Sequence, residues 1–212
     1  EAVERFLREG RAAARLKSRH VVRVLGVETT DDGAAIVVME RLEGMDLAAL
    51  LREEGPLPVE TAVDYVLQAC AALAEAHELR IVHRDLKPSN LFLTQDRGEP
   101  LIKVLDFGVA KLLDLEELDA GLTASSGLLG SPAYMAPEQI RAAKDVDARA
   151  DVWSLGVVLF ELMTGTLPFA GSTPSAVLAA ISADAPVPLR SRLPGAPGAL
   201  ERLITRCLAK ER

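Results

Sequence analysis

Apolar residues recur at a 3.6-residue period through the first seventeen positions. Val3, Phe6, Leu7, Ala13, Ala14 and Leu16 share one stripe, which predicts an amphipathic helix over 1–17. Gly10 weakens it by about 1 kcal/mol relative to alanine. Two strand-like runs follow, VVRVLGV (21–27) and AAIVVM (34–39), joined by the turn chemistry of TTDDG. Helical periodicity returns over 46–54 and stops at Gly55-Pro56. A long helix is predicted over 59–79, with Val63, Val66, Leu67, Cys70, Leu73 and Ala74 on its apolar face.

The pattern then breaks. RIVHRDLKPSNLFLT (80–94) has apolar ends, but His83, Arg84, Asp85, Lys87, Ser89 and Asn90 crowd its middle. A loop held between two short buried strands, presenting acid, base and amide to a cleft, accounts for that arrangement. LFLTQDRGEPLIKVLDFG (91–108) predicts a small hairpin. Residues 109–137 keep no period, and a loop that long inside a domain is usually functional. Helices are predicted over 138–143, 151–164, 173–183 and 197–209, with a proline-rich connector at 183–198. The run VWSLGVVLFELM (152–163) is apolar on every side, as in a buried helix, and too short to span a bilayer. Helix and strands first, then mostly helices, predicts an α+β chain with two unequal lobes.

Composition narrows the function classes. The 212 residues are 49% apolar, 26% charged and 4% aromatic, enough for a real aliphatic core. A net charge of −7 argues against a nucleic-acid partner, because phosphate backbones select basic faces. Cys70 and Cys207 match no metal spacing and read as buried reduced thiols; that fits a cytoplasmic setting, as does the lack of a signal-peptide pattern, and a cytoplasmic location is the expectation.

The candidate chemistry lies in three motifs in fixed order. His83-Arg84-Asp85-Leu86-Lys87-Pro88-Ser89-Asn90 fits H-R-D-L-x-x-x-N. Asp106-Phe107-Gly108 begins sixteen residues past Asn90, and Ala136-Pro137-Glu138 follows. Together they resemble the protein kinase family, specifically the bacterial eukaryotic-like (Hanks-type) serine/threonine kinases, over nearly the whole chain. The resemblance implies a two-lobed kinase-like fold with a mainly helical large lobe and an incomplete small β lobe. It also implies transfer of phosphate from ATP, with Mg²⁺ or Mn²⁺, to Ser/Thr hydroxyls of proteins.

Phosphoryl transfer needs positioning and charge neutralisation more than covalent help. Asp85 is suited to orient a substrate hydroxyl and Lys87 to carry positive charge to the transferred phosphate. Asn90 and Asp106 are hard oxygen ligands for the metal. An isolated loop aspartate is more often a turn or cap residue, but these two sit inside the motifs.

By resemblance, FLREGRAAARL makes Glu9 the helix glutamate that pairs with an ATP-contacting lysine; a surface pair with Arg5 is the plainer alternative. Met39 resembles the gatekeeper, and Glu40-Arg41-Leu42 the hinge that binds adenine through its backbone. Asp46 would lie near the ribose and Phe92 beneath the adenine. His83 would pack on Phe107, Asp151 would anchor the catalytic loop, and His20 and His77 would be structural. Lys87 and Gly130-Ser131-Pro132-Ala133-Tyr134 resemble serine/threonine rather than tyrosine kinases, with Ser131 replacing the commoner threonine. Arg84 and Lys111 would receive a phosphate on Thr123, Ser125 or Ser126, and self-association would serve autophosphorylation.

By the same resemblance, residues 1–39 form a partial small lobe, 40–46 a hinge and 47–212 the large lobe, with its catalytic loop at 83–90 and activation segment at 106–138. No G-x-G-x-x-G and no V-A-I-K lysine precede Glu9. The expectation is a domain trimmed at both ends, from a parent whose membrane anchor, where it has one, lies elsewhere. Three other readings stand beside it, one of them a catalytically impaired fragment, because the glycine-rich loop and the ATP-contacting lysine are not in the sequence. A pseudokinase scaffold would be expected to lose Asp85 or Asp106. A small-molecule phosphotransferase of the aminoglycoside-kinase type would show D-x-D in place of Asp-Phe-Gly.

Overall fold

A computed structural model describes residues 2–30, 34–107, 132–141 and 146–211. Helix α1 (Ala2–Ala13) lies on a two-stranded antiparallel sheet of β1 (Val24–Thr29) and β2 (Ala35–Met39). The glycine that weakens α1 as an isolated helix is what lets it approach the sheet. A Cβ at Gly10 would meet Val37 Cγ2 at 3.0 Å and Val27 Cγ2 at 3.3 Å.

The first strand begins at Val24, three residues later than the pattern predicts, because 20–22 are drawn elsewhere. Val22 N–H donates to the Val104 carbonyl (3.0 Å) and Val104 N–H to that of His20 (2.8 Å). The preceding connection is tied down by the Glu75 carboxylate, which accepts the Lys17 and Ser18 amides at 2.8 and 2.6 Å. The apolar character of Val21 and Val22 therefore serves a junction between the sheets, and both are buried.

A second sheet joins β3 (Met45–Asp46), β4 (Leu91–Asp96) and β5 (Glu99–Val104) in that order, all antiparallel. The β4–β5 turn is Arg97-Gly98, with φ of 54° and 88°. Such a two-residue left-handed turn matches the twist of hairpin strands. At Gly44 a side chain is impossible: φ is 134° and a Cβ would fall 2.0 Å from the Leu93 carbonyl oxygen.

The remaining α-helices among the described residues are α2 (Leu47–Glu54), α3 (Val59–Glu78), α4 (Pro137–Arg141), α5 (Arg149–Thr164), α6 (Pro174–Ala183), α7 (Leu189–Arg192) and α8 (Gly198–Cys207). The predicted connector 183–198 thus contains a short helix, started after Pro188 and anchored by buried Leu189. Helix α5 is buried on nearly all sides, as its uniform apolarity requires, with α3 and α8 against it. Its Phe160 is fully buried, and truncation to alanine would cost about 3–5 kcal/mol. Trp153 stacks on Phe169 with centroids 5.5 Å apart, and Lys210 Nζ caps that ring at 4.8 Å.

Helix α3 corrects the predicted apolar face. Ala62, Tyr65, Val66, Ala69, Ala72, Leu73 and Ala76 are buried, while Leu67 is 61% exposed and Cys70 and Ala74 also face out. The buried stripe is mostly alanine, whose small side chains allow close helix approach, so a reading weighted to large residues placed Val63, Val66 and Leu73 correctly but set the edge of the face too far toward Leu67, Cys70 and Ala74. Cys70 is accordingly an exposed free thiol and Cys207 a half-buried one, not the buried pair expected. Among the described residues no helix is long and apolar enough to cross a membrane.

Candidate active site

The polar stretch 83–90 leaves helix α3 through irregular backbone at Ile81-Val82, not the first of the two strands expected; only Leu91–Leu93 on its far side is strand. It is held instead from below by helix α5. The fully buried Asp151 accepts the His83 amide on Oδ2 (2.9 Å) and the Arg84 amide on Oδ1 (2.8 Å), and His77 Nε2 lies 2.7 Å from Oδ2. A buried carboxylate requires such partners, and backbone amides are among the strongest it can recruit. Arg84 takes φ of 66°, a left-handed conformation costing a side-chain-bearing residue about 1–2 kcal/mol.

His83 is a second strut. Its ring is fully buried against Phe107, centroids 4.9 Å apart and tilted by 56°. Nε2 lies 2.7 Å from the Leu105 carbonyl, which assigns the proton to Nε2 and leaves Nδ1 to accept the Asp85 amide at 3.3 Å. Burial pushes the imidazole below its ordinary range, outweighing the pull of Asp151, the Leu105 carbonyl, Asp85 and Asp106. His83 is therefore a neutral connector between two loops.

Around that frame the predicted residues converge. Lys87 Nζ donates to Asp85 Oδ2 at 2.9 Å. Asn90 Nδ2 donates to the Asp85 carbonyl at 2.8 Å and to Asp85 Oδ2 at 3.3 Å. Leu105, bonded through its carbonyl to His83, also donates its amide to the Asn90 carbonyl at 2.9 Å. Asp106 follows directly, exposed and with φ of 54°, near enough to His83 to act on its imidazole. An apolar cavity of about 250 Å³ reaches Asp106 and Phe107 from Met39, Phe6, Gly10 and Val37.

The hinge residues are placed at the other end. Glu40 and Leu42 line a larger polar groove of about 810 Å³ that also takes in Arg19, Glu43, Glu54 and Lys103, but none of Asp85, Lys87, Asn90 or Asp106. Phe92 is half-buried and pairs in register with Asp46. Asp46 has work of its own: Oδ1 accepts the Ala49 amide at 2.9 Å and caps helix α2. The Glu9 side chain, Gly108, Lys111, Thr123, Ser125, Ser126 and Ser131 lie outside the described residues.

Three contributors escape motif reading. Lys103 holds Glu40, at 2.6 Å. Gln139 bonds the Arg84 carbonyl, at 2.8 Å. Glu161 on α5 accepts the Tyr134 hydroxyl at 2.6 Å, beside the Ala-Pro-Glu segment. Burial pushes Tyr134 and Glu161 both upward, which keeps the phenol neutral as the donor of that bond. None stands in a short motif; only the alternation that places Lys103 on the hinge side of β5 could have pointed to it.

Comparison with known proteins agrees with this geometry. A family model described as protein kinase domain matches residues 1–212. Serine/threonine-protein kinase pkn3 of Myxococcus xanthus is 40% identical over 211 residues, covering 98% of this chain and 38% of that protein. Serine/threonine-protein kinase PknB of Mycobacterium leprae is 35% identical, covering 97% of this chain and 32% of that protein. The chain thus spans about a third of the length of these relatives. A crystal structure of Rad53 1–466 in complex with AMP-PNP superposes with a TM-score of 0.79 at 27% identity, covering 98% of this chain and 50% of that one. The two-lobed α+β architecture is that of a kinase, and the chain belongs to the protein kinase domain family, with bacterial serine/threonine kinases among its relatives.

Proposed function

We propose that this segment carries out phosphoryl transfer from ATP to serine or threonine hydroxyls of proteins. The observation that carries the reading is the Asp85–Lys87–Asn90 cluster, in which two donors fix one carboxylate oxygen at 2.9 and 3.3 Å. Asp85 orients the incoming hydroxyl and accepts its proton. Lys87, held at the same carboxylate, places its ammonium where the transferred phosphate gains charge.

The donor set fits a hard divalent cation. Both bonds from Asn90 to Asp85 use Nδ2, which leaves Oδ1 as a free-facing amide oxygen, and the Asp106 carboxylate is exposed. Mg²⁺ is the cation proposed, with Mn²⁺ as a substitute; when bound it would neutralise phosphate charge. Adenine would meet the Glu40 carbonyl and Leu42 amide, with Phe92 below and Met39 behind. That relatives are named serine/threonine-protein kinases, and that Rad53 is crystallised with AMP-PNP, supports this assignment.

The test is transfer of labelled phosphate from ATP to a generic basic protein by the full-length protein, with Mg²⁺, with Mn²⁺ and with chelator. Transfer to serine or threonine that requires the cation is expected. Absence of transfer under activating conditions, or transfer to a small-molecule acceptor only, would overturn the reading.

A further inference from the structure

Arg84, immediately before the proposed catalytic Asp85, is held at both ends of its residue. Its amide donates to Asp151 Oδ1 at 2.8 Å. Its carbonyl accepts Gln139 Nε2, also at 2.8 Å. Between these bonds the backbone sits at φ 66°, a left-handed conformation that few side-chain-bearing residues adopt. Relaxing that angle would rotate the peptide leading into Asp85.

Gln139 has a second bond. Its Oε1 accepts the Ala136 amide at 3.0 Å, while its own amide donates to the Ala136 carbonyl at 3.0 Å. As the third residue of α4, reaching back to the residue before the helix, it makes half of a capping box. Read alone, that bond makes Gln139 a local cap. The Nε2 bond crosses 55 residues of sequence and reaches the catalytic loop, which a cap does not require.

We propose that Gln139 is a positioning residue for phosphoryl transfer: it couples the Ala-Pro-Glu segment to the catalytic loop by holding Arg84 in its left-handed conformation against Asp151, and so sets the orientation of Asp85. The proposal rests on the kinase reading above. It assigns the two ends of one amide to two tasks, the oxygen to the helix and the nitrogen to the loop. An activation segment that moves α4 therefore moves the Arg84 carbonyl's partner as well.

Gln139→Glu separates the tasks. The carboxylate still accepts the Ala136 amide, but its second oxygen faces the Arg84 carbonyl and cannot donate. When protonated, the carboxylic acid donates again. Gln139→Met removes both bonds at similar volume. In the full-length protein, kcat of Gln139→Glu should fall about tenfold at pH 8, with KM for ATP within twofold of wild type, since misplacement near reacting atoms can cost up to about 10²-fold. The ratio of its kcat to wild type should rise as pH falls toward 6; the ratio cancels titration of Asp85, Glu138 and Asp151 shared by both proteins. Gln139→Met should stay low at every pH. Amide hydrogen exchange over 83–86 should quicken in both variants, whether or not the protein is active. A Gln139→Glu variant with wild-type kcat at all pH values, or with unchanged exchange over 83–86, would overturn the proposal. Should wild type itself transfer no phosphate, the kinase reading fails, and the exchange measurement alone decides the positioning role.

Discussion

The Glu40 carboxylate lies 2.6 Å from Lys103 Nζ, joining the end of β2 to strand β5 across 63 residues of sequence. The same carboxylate oxygen accepts the Arg23 amide at 2.8 Å, and Lys103 also donates to the Val21 carbonyl at 3.2 Å. One ion pair thus gathers the residue after β2, the approach to β1 and the β4–β5 hairpin. Burial alone would raise the Glu40 carboxyl, but Lys103 and Arg23 together outweigh it and hold it below its ordinary range.

Lys103→Met should therefore loosen the junction rather than unfold the chain. The pair is partly exposed, so the expected loss is on the order of 1 kcal/mol, near the upper end for solvent-screened pairs. The sign with pH follows from the depressed carboxyl. Its contribution is present above the ordinary value of 4.5 and is lost as pH falls below it. Urea midpoints of wild type and variant should differ at pH 7 and converge at pH 3.5; a constant gap would deny the ion pair.

Asp85→Asn should abolish transfer while leaving the fold intact. Lys87 and Asn90 both donate to Asp85 Oδ2, so asparagine keeps an acceptor but loses the charge that takes the substrate proton. A loss of at least 10²–10³ in rate is expected, on the order seen when one preorganised group is removed. Near-equal rates in the labelled-phosphate assay, with unchanged circular dichroism, would defeat the role given to Asp85.

Acid should destabilise the loop through His83 before it reaches the carboxylates. The imidazole is held below its ordinary value of 6.5, so the unfolded chain binds the extra proton first. Folding stability then falls as pH drops below about 6.5, and protonation of Nδ1 removes the acceptor of the Asp85 amide. His83→Tyr keeps a ring against Phe107 without a titrating nitrogen. Between pH 6.5 and 5, unfolding midpoints should slope downward in wild type and flatten in the variant. Equal slopes would place the acid sensitivity elsewhere.

The sequence showed the site more clearly than the packing around it. Asp85, Asn90 and Asp106 stood out because three short motifs follow one another in fixed order, and helix α5 was visible because twelve apolar-dominated positions left no polar face. What escaped depended on contacts between distant segments. Alanines of α3 were discounted because burial by close approach leaves no large side chain to see. Val21 and Val22 looked like the start of a strand because pairing to Val104 and extension of β1 use the same apolar signal. Lys103 and Gln139 each sit in ordinary sequence and acquire a role only when folding brings Glu40 and Arg84 to them.

The Asp151–His77 pair offers the last test, of how the catalytic loop is anchored. Asp151 is fully buried and accepts two loop amides, whereas His77 is part-exposed and shares Oδ2 with the His83 amide. Removing the carboxylate leaves two amides without partners, but removing the imidazole leaves one oxygen that still has an amide. Asp151→Ala should therefore cost about 3–5 kcal/mol, the range for breaking a buried charged network. His77→Ala should cost about 1 kcal/mol, the ordinary net worth of one hydrogen bond. In the double variant the histidine has lost its acceptor already, so its removal should add almost nothing to the loss caused by Asp151→Ala. Denaturant unfolding of all four proteins gives the coupling directly. Strict additivity would mean that His77 acts independently of the anchor, and an equal cost for the two single variants would mean that the loop hangs on the histidine as much as on the aspartate.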